Sequence, residues 1–177
     1  MDLLGAAGFG LDYDSIRLAR TTEAWLAAGT ELRDRVTEIL AGVVADVEVI
    51  GSASVLGLLA KPIIDLAAGL TANQPLAPAA TRLERAGWIY RGDAGSDGGQ
   101  VFVLETRPWH RVAHLHVVDH DSSQWRNYLR FRALLRRSAD ARTRYEAVKL
   151  AQPDSGDRKA YTDGKTEVAA ALIRGID

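Results

Sequence analysis

One stretch, residues 47–66, limits the folds open to this chain more than any other. Residues 47–50 are mostly β-branched, which is typical of a buried strand. Gly51 then permits a close backbone approach that a side chain would block, and Ser52 is a suitable cap for a helix that begins at Ala53. The sequence therefore predicts a strand, a tight Gly-Ser turn and a short helical turn.

A single acid follows this turn in an apolar run. Asp65 lies in Ile63-Ile64-Asp65-Leu66, which predicts a second strand. A carboxylate in such a run must be paired, hydrogen-bonded or bound to a metal, whereas free N–H groups at the start of a helical turn attract an anion such as phosphate. The stretch thus combines a predicted phosphate site with an acid. A structural Asp65 paired with Lys61 or an arginine is the alternative.

The same residues resemble the GrpB family, whose fold is similar to that of nucleotidyltransferases. The matching positions are Glu48, Gly51, Ser52, Val55, Gly57, Leu58, Ala60, Lys61, Pro62 and Asp65. Val49, Ala53 and Leu56 stand where the family has His, Thr and Pro. The resemblance covers most of the chain from about Trp25. It implies an α+β fold with a nucleotidyltransferase-type mixed sheet of about five strands, flanking helices and a helical C-terminal part.

The periodicity along the chain predicts one domain over residues 1–177, with a candidate tail at 1–12 and a helical part at 122–177. Predicted helices span about 22–43, 75–87, 122–137, 139–151 and 157–174. Further predicted strands span about 88–90, 100–106 and 111–119, with a flexible loop at 93–99.

Composition excludes several classes of protein. The chain has no cysteine, so disulfides and thiolate metal sites are excluded, and His or carboxylate side chains are the available ligands. No apolar run reaches the roughly 18 residues of a membrane span, and the N-terminus lacks a signal-peptide pattern. We therefore expect a cytoplasmic protein with no membrane partner. A net charge of −1 gives no reason to expect nucleic-acid binding.

The charge is unevenly distributed. Residues 1–60 hold nine acids and four bases, whereas residues 126–149 hold eight bases and two acids. Such asymmetry can mark an anion-binding face, and a solvated basic helix is the alternative.

The family resemblance suggests a divalent cation, Mg²⁺ or Mn²⁺, near Asp65. Nucleotidyltransferases generally carry Asp-x-Asp or Asp-x-Glu on this strand, but here Ala67 takes the second position. His114 and His116 match the family's His-Leu-His-Val motif and, on a strand, face the same side about 7 Å apart. Candidate ligands are thus Asp65, His116, Glu48 and His114, with His116 preferred to His114. The alternative is that both histidines are hydrogen-bonded sheet residues.

Several bases are placed to neutralise phosphate. Arg132 lies within an apolar helical stripe and needs a partner, either a phosphate or a site carboxylate, unless it reaches past its neighbours to solvent. Tyr161 and Lys165 share one stripe of the last helix and match the family, as do Tyr145 and Lys149 in the helix before it. Each inward Lys could hold a phosphate or form a structural ion pair.

Two functions remain open from the sequence. The first is a metal- and ATP-dependent nucleotidyltransferase-like enzyme that acts on a small-molecule acceptor by nucleotidyl transfer or carboxylate adenylation. In that case Asp65, Arg132 and Lys61 are catalytic, and Gly51, Ser52, Ser54, Lys165 and Tyr161 bind the nucleotide. The second is a non-catalytic nucleotide-binding or assisting module, which the alanine at position 67 favours.

Overall fold

The computed structural model describes residues 2–93, 99–151 and 167–175. The helices are α1 (Asp2–Ala6), α2 (Glu23–Ile39), α3 (Leu76–Arg85), α4 (Ser123–Arg137) and α5 (Ala139–Leu150). The strands are β1 (Leu11–Asp12), β2 (Ala19–Arg20), β3 (Val44–Ile50), β4 (Leu59–Ala60), β5 (Ile64–Leu70), β6 (Trp88–Asp93), β7 (Gln100–Arg107) and β8 (His110–Asp119). Residues 167–174 are also helical.

A mixed sheet in the order β3-β5-β8-β7-β6 forms the centre of the molecule. β5 and β8 run parallel, and the other neighbours in this order are antiparallel. β1 pairs with the beginning of β8 as a sixth strand, and β2 and β4 form a separate two-stranded sheet. The predicted mixed sheet of about five strands is confirmed, and β1 adds to it from residues 1–12, which the sequence left as a candidate tail.

The two faces of the central sheet differ in chemistry. One, which we call the apolar face, carries Leu66, Phe102 and Leu115, all fully buried, and packs against α2 and α3. Residues directly opposite one another in a sheet share a face. By this register the other face carries Glu48, Asp65, His114 and His116, and we call it the polar face.

The polar face is partly covered by α4. Trp125 of this helix packs with Ile50, Ala67 and Val118 of the sheet. The opposite side of α4 joins α5, the 167–174 helix and the loop after the Gly-Ser turn; these contacts form a second apolar cluster of Val55, Leu58, Phe131, Leu134, Leu135, Ala141, Tyr145 and Leu172. The helical C-terminal part therefore borders the polar face.

Two local predictions need correction. α2 ends at Ile39 rather than near Val43, because the chain leaves the helix through Leu40 and turns at Gly42, where φ is +76°. The predicted Ser52 cap was also wrong: Ser52–Ser54 is a single 3₁₀ turn with Gly51 in the cap position and no side-chain cap hydrogen bond. Gly51 adopts a φ of +69°, which glycine tolerates far better than other residues.

Candidate functional site

Gly51 brings the turn directly against Asp65. A Cβ atom added at Gly51 would lie 2.8 Å from Asp65 Oδ2. Only a residue without a side chain allows this approach, so the glycine places the turn and the carboxylate side by side.

The two serines of the turn have different surroundings. Ser54 is 2% exposed, and its hydroxyl donates to the Gly51 carbonyl at 2.7 Å. Ser52 is 8% exposed, and among the described residues its hydroxyl has no hydrogen-bond partner. The turn's own bonds start with the Ser54 N–H, so they leave the N–H groups of Ser52 and Ala53 unused. Ser54 shapes the turn, whereas the Ser52 hydroxyl takes no part in the hydrogen bonds of the turn.

Asp65 is held by a histidine on the neighbouring strand. Asp65 and His114 are opposite one another across β5 and β8, and Asp65 Oδ1 lies 3.2 Å from His114 Nδ1. Both side chains are about one quarter exposed. His116 lies on the same face, opposite Ala67, and its Nδ1 is 3.3 Å from the Tyr128 hydroxyl. The observed contact of Asp65 is thus with His114, although the sequence analysis preferred His116.

Glu48 forms a second acid–base pair on the polar face. Arg132 Nη1 donates to Glu48 Oε2 and to the Val49 carbonyl, both at 2.6 Å. The side chains are 15% and 26% exposed for Arg132 and Glu48. The prediction that Arg132 needs a partner is confirmed, and that partner is one of the predicted site carboxylates.

Arg136 extends this contact to the turn. Its Nη2 donates to the Ser54 carbonyl at 3.1 Å. Partial burial and, next, the neighbouring Arg132 lower the pKa of Arg136 below its usual value, although Glu48 acts in the opposite direction. Two guanidinium groups, of Arg132 and Arg136, and two carboxylates, of Glu48 and Asp65, therefore lie beside the turn.

Ala67 lies on the polar face between the Asp65–His114 pair and the Glu48–Arg132 pair. It lies opposite Glu48 on one side and His116 on the other, and it is fully buried. Within the described ranges, no group of three or more His, Asp or Glu side chains is arranged to hold a metal ion. The described side chains therefore form no complete protein cage for a cation.

The remaining residues predicted to bind phosphate differ in their positions and surroundings. Lys61 is half-buried in the connection between β4 and β5. Tyr161 and Lys165 lie outside the described residues. Lys149 is buried, donates to the Leu59 carbonyl at 2.5 Å and lies 4.3 Å from the Tyr145 ring centroid, which favours the structural interpretation for this lysine.

Sequence reasoning missed a cluster at the turn between β7 and β8. Glu105 accepts hydrogen bonds from the Tyr13 hydroxyl at 2.9 Å, from Arg91 Nη2 at 3.1 Å and from the Trp109 N–H at 3.0 Å. These residues come from distant segments, so no local pattern joins them. The one available signal was the pair Pro108-Trp109, because a tryptophan in a hairpin turn places a large ring on the surface.

No helix in the described part of the chain has the length and apolar character needed to cross a membrane.

Comparison with known proteins places the fold and the family. The family model described as GrpB protein matches residues 15–174. The glutamate-rich protein GrpB of Alkalihalophilus pseudofirmus is 26% identical over 169 residues, which is 93% of this chain and 97% of that protein. A UPF0157 protein of Streptomyces coelicolor is 36% identical over 166 residues, 91% of this chain and 80% of the relative.

Solved structures agree with these sequence matches. The crystal structure of GrpB from Enterococcus faecalis has a TM-score of 0.74 at 28% identity and covers 90% of this chain and 99% of its own. GLD-2, which has a nucleotidyltransferase fold, is also similar in the structure of its complex with RNP-8. The TM-score is 0.52 at 14% identity, and the match covers 87% of this chain and 58% of that chain. This likeness concerns the fold alone. The chain belongs to the GrpB family and has a nucleotidyltransferase-like fold.

Proposed function

We propose that this protein is a metal- and ATP-dependent nucleotidyltransferase that acts on a small-molecule acceptor. One observation carries the proposal: Gly51 brings the Asp65 carboxylate against a turn whose Ser52 hydroxyl has no partner in the described chain. This adjacency supports the proposal, because a nucleotide with its cation requires a turn that binds phosphate beside an acid that binds the cation.

Asp65 suits a cation that arrives with the nucleotide. Mg²⁺ is usually held by one or two carboxylates together with substrate phosphates and water rather than by a complete protein cage. Asp65, oriented by His114, would supply one such carboxylate, and carboxylates suit both Mg²⁺ and Mn²⁺. His116 remains a candidate ligand, whereas the carboxylate of Glu48 is already bonded to Arg132. When bound, the cation would offset the negative charge of the phosphates.

The reaction we propose is an in-line displacement at the α-phosphate of ATP. A hydroxyl, amine or carboxylate of the acceptor forms the new bond to phosphorus, and the bond to pyrophosphate breaks. Ser52 would bind phosphate oxygens, while Lys61 and Arg132 would stabilise the charge on the leaving pyrophosphate. A carboxylate acceptor would give an acyl-adenylate, which an amine could then attack with release of AMP. We place this activity in the cytoplasm, with the nucleotide and acceptor as the partners.

A specific observation favours a second function, that of a non-catalytic nucleotide-binding or assisting module. Ala67 replaces the second acid of the strand, and the opposing Glu48 is bonded to Arg132. The described residues therefore place one carboxylate, that of Asp65, against the turn, whereas two on this strand are usual in nucleotidyltransferases.

Two measurements separate these functions. Calorimetric titration with ATP, with and without Mg²⁺ or Mn²⁺, should give cation-dependent binding for both. Incubation with ATP, the cation and pools of hydroxyl, amine and carboxylate acceptors should release pyrophosphate only from an enzyme. Cation-independent ATP binding would contradict the role of Asp65, and absence of ATP binding would contradict both functions.

A further inference from the structure

Trp109 is an exposed ring that the protein holds in an unfavourable backbone conformation. Its side chain lies in the turn between β7 and β8, the residue is 69% exposed, and its φ is +65°. Bulky residues rarely adopt a positive φ. The Trp109 N–H donates to Glu105 Oε2 at 3.0 Å, and its carbonyl accepts from the Tyr13 N–H at 3.3 Å. A strained residue that its neighbours fix in place is a reason to look for a function.

The groups around Trp109 suit a planar ligand. The Tyr13 ring lies edge-on to the indole, with centroids 5.7 Å apart, and Arg111 stacks 4.9 Å from the Tyr13 centroid. Arg91 bonds Glu105 through Nη2, and its side chain is 42% exposed. An exposed indole face beside aromatic and guanidinium groups provides both a stacking surface and hydrogen-bond donors.

Trp109 borders the polar face of the sheet. Val103 is opposite His114, and Glu105 follows it by two residues on the same face, about 7 Å along the strand. Among the described elements, α4 covers this face at Ile50, Ala67 and Val118. β3 ends at Ile50, opposite Asp65, and β8 begins beside this end of β5, so the Gly51–Ser52 turn and the turn that carries Trp109 lie at the same end of the sheet.

We propose that Trp109 stacks against the base of the bound nucleotide, with Tyr13 and Arg91 at the edge of this base site. The inference rests on the nucleotide-binding function proposed above for the same polar face, and it adds the residue that recognises the nucleoside. Every base has a π-face, so stacking of this kind gives affinity with little discrimination among bases.

The test compares ATP with inorganic tripolyphosphate, which has the phosphates without the nucleoside. Both are titrated in the presence of Mn²⁺ into the wild-type protein, Trp109→Ala and Tyr90→Ala. Tyr90 is a matched control, since it is an exposed aromatic (44%) whose ring contacts Phe102 of the apolar face. We expect Trp109→Ala to weaken ATP binding by about 5- to 150-fold, the range for loss of a base–aromatic stack. Its tripolyphosphate affinity and both affinities of Tyr90→Ala should remain within about twofold of wild type.

The outcomes distinguish this inference from the function beneath it. If ATP binds and Trp109→Ala changes nothing, the base site is wrong and the phosphate site stands; equal wild-type affinities for ATP and tripolyphosphate would have the same meaning. If wild type binds neither, both proposals fail. Trp109→Gly guards against a folding artefact, because glycine accepts the positive φ while it removes the ring. It should bind ATP as weakly as Trp109→Ala.

Discussion

Two acidic residues on neighbouring strands of the polar face have contrasting partners. Glu48 on β3 is bonded at 2.6 Å by Arg132, which also donates to the backbone of β3. Asp65 on β5 has a histidine at 3.2 Å and lies against the Gly-Ser turn. The two carboxylates are similarly exposed, at 26% and 28% of their side-chain surface. Burial therefore does not separate their roles, whereas the chemistry of their partners does.

A guanidinium is permanently charged and holds a carboxylate through charge-assisted hydrogen bonds. The Glu48–Arg132 pair thus ties α4 to the sheet. In the function proposed above, Asp65 would instead face the nucleotide and its cation. The contrast predicts that the two acids of this chain divide into a structural acid, Glu48, and a ligand acid, Asp65.

The largest expected effect comes from Gly51→Ala. The new Cβ would displace the Asp65 carboxylate, since the two would be 2.8 Å apart, and we expect cation-dependent ATP affinity to fall by about 100-fold. Gly57→Ala is a matched control: φ there is +76°, and no atom lies within 4 Å of the added Cβ. Both variants should lose about 1–2 kcal/mol of stability from the positive φ, but Gly57→Ala should bind ATP normally. Equal losses of ATP affinity in Gly51→Ala and Gly57→Ala would show that the contact between the turn and Asp65 does not cause the effect.

The next effect concerns the structural acid. Arg132→Met leaves the partly buried Glu48 carboxylate without its cation, and Glu48→Gln leaves the Arg132 guanidinium without its anion. We expect each to lower the free energy of unfolding by about 2 kcal/mol, less than for a fully buried pair. Urea unfolding of both single variants and the double variant measures the coupling, expected at about 1–2 kcal/mol. Additive losses would show that the pair contributes nothing of its own.

A smaller effect should separate the two histidines. His114→Ala removes the group that orients Asp65, so we expect the Mn²⁺-dependent affinity for ATP to fall by about 10-fold, as for other residues that support a metal ligand. His116→Ala, one pair further along the strand, should change it by less than about threefold. Titration calorimetry of both variants measures these affinities. A larger loss of ATP affinity in His116→Ala than in His114→Ala would favour His116, as the sequence analysis did.

The smallest effect is expected from Arg132→Lys, which keeps the charge but loses the planar fork. Stability should fall by about 1 kcal/mol, and ATP affinity should stay within a few-fold. In an assay of pyrophosphate release, turnover should fall further than affinity if Arg132 stabilises the leaving group. Full turnover in Arg132→Ala would leave Arg132 with a structural role alone.

The sequence could predict the turn, the strand that carries Asp65 and the inward position of Arg132, because each depends on local pattern. It could also place His114 and His116 on one face, since strand alternation is local. It could not decide which histidine meets Asp65, because that depends on the register between β5 and β8. A shift of one residue would exchange the faces of every side chain.

The cluster around Trp109 was beyond sequence reasoning for a related physical reason. Tyr13, Arg91 and Glu105 are brought together by β1 pairing with β8 and by irregular pairing of β6, β7 and β8. Bulges of this kind re-aim side chains, and they leave little trace in composition. The same holds for Glu48 and Arg132, which are 84 residues apart in the chain.

The most direct test measures both stability and ATP affinity for variants of the two acids, Asp65 and Glu48. Asp65→Asn and Glu48→Gln each remove one carboxylate charge at nearly constant volume, and both are measured by urea unfolding and by ATP titration with Mn²⁺. The account predicts that Asp65→Asn loses about 10- to 100-fold in ATP affinity and less than about 1 kcal/mol in stability. Glu48→Gln should lose about 2 kcal/mol in stability and bind ATP within about threefold of wild type. The opposite assignment, with Glu48→Gln abolishing ATP binding and Asp65→Asn retaining it, would contradict the division of the two acids.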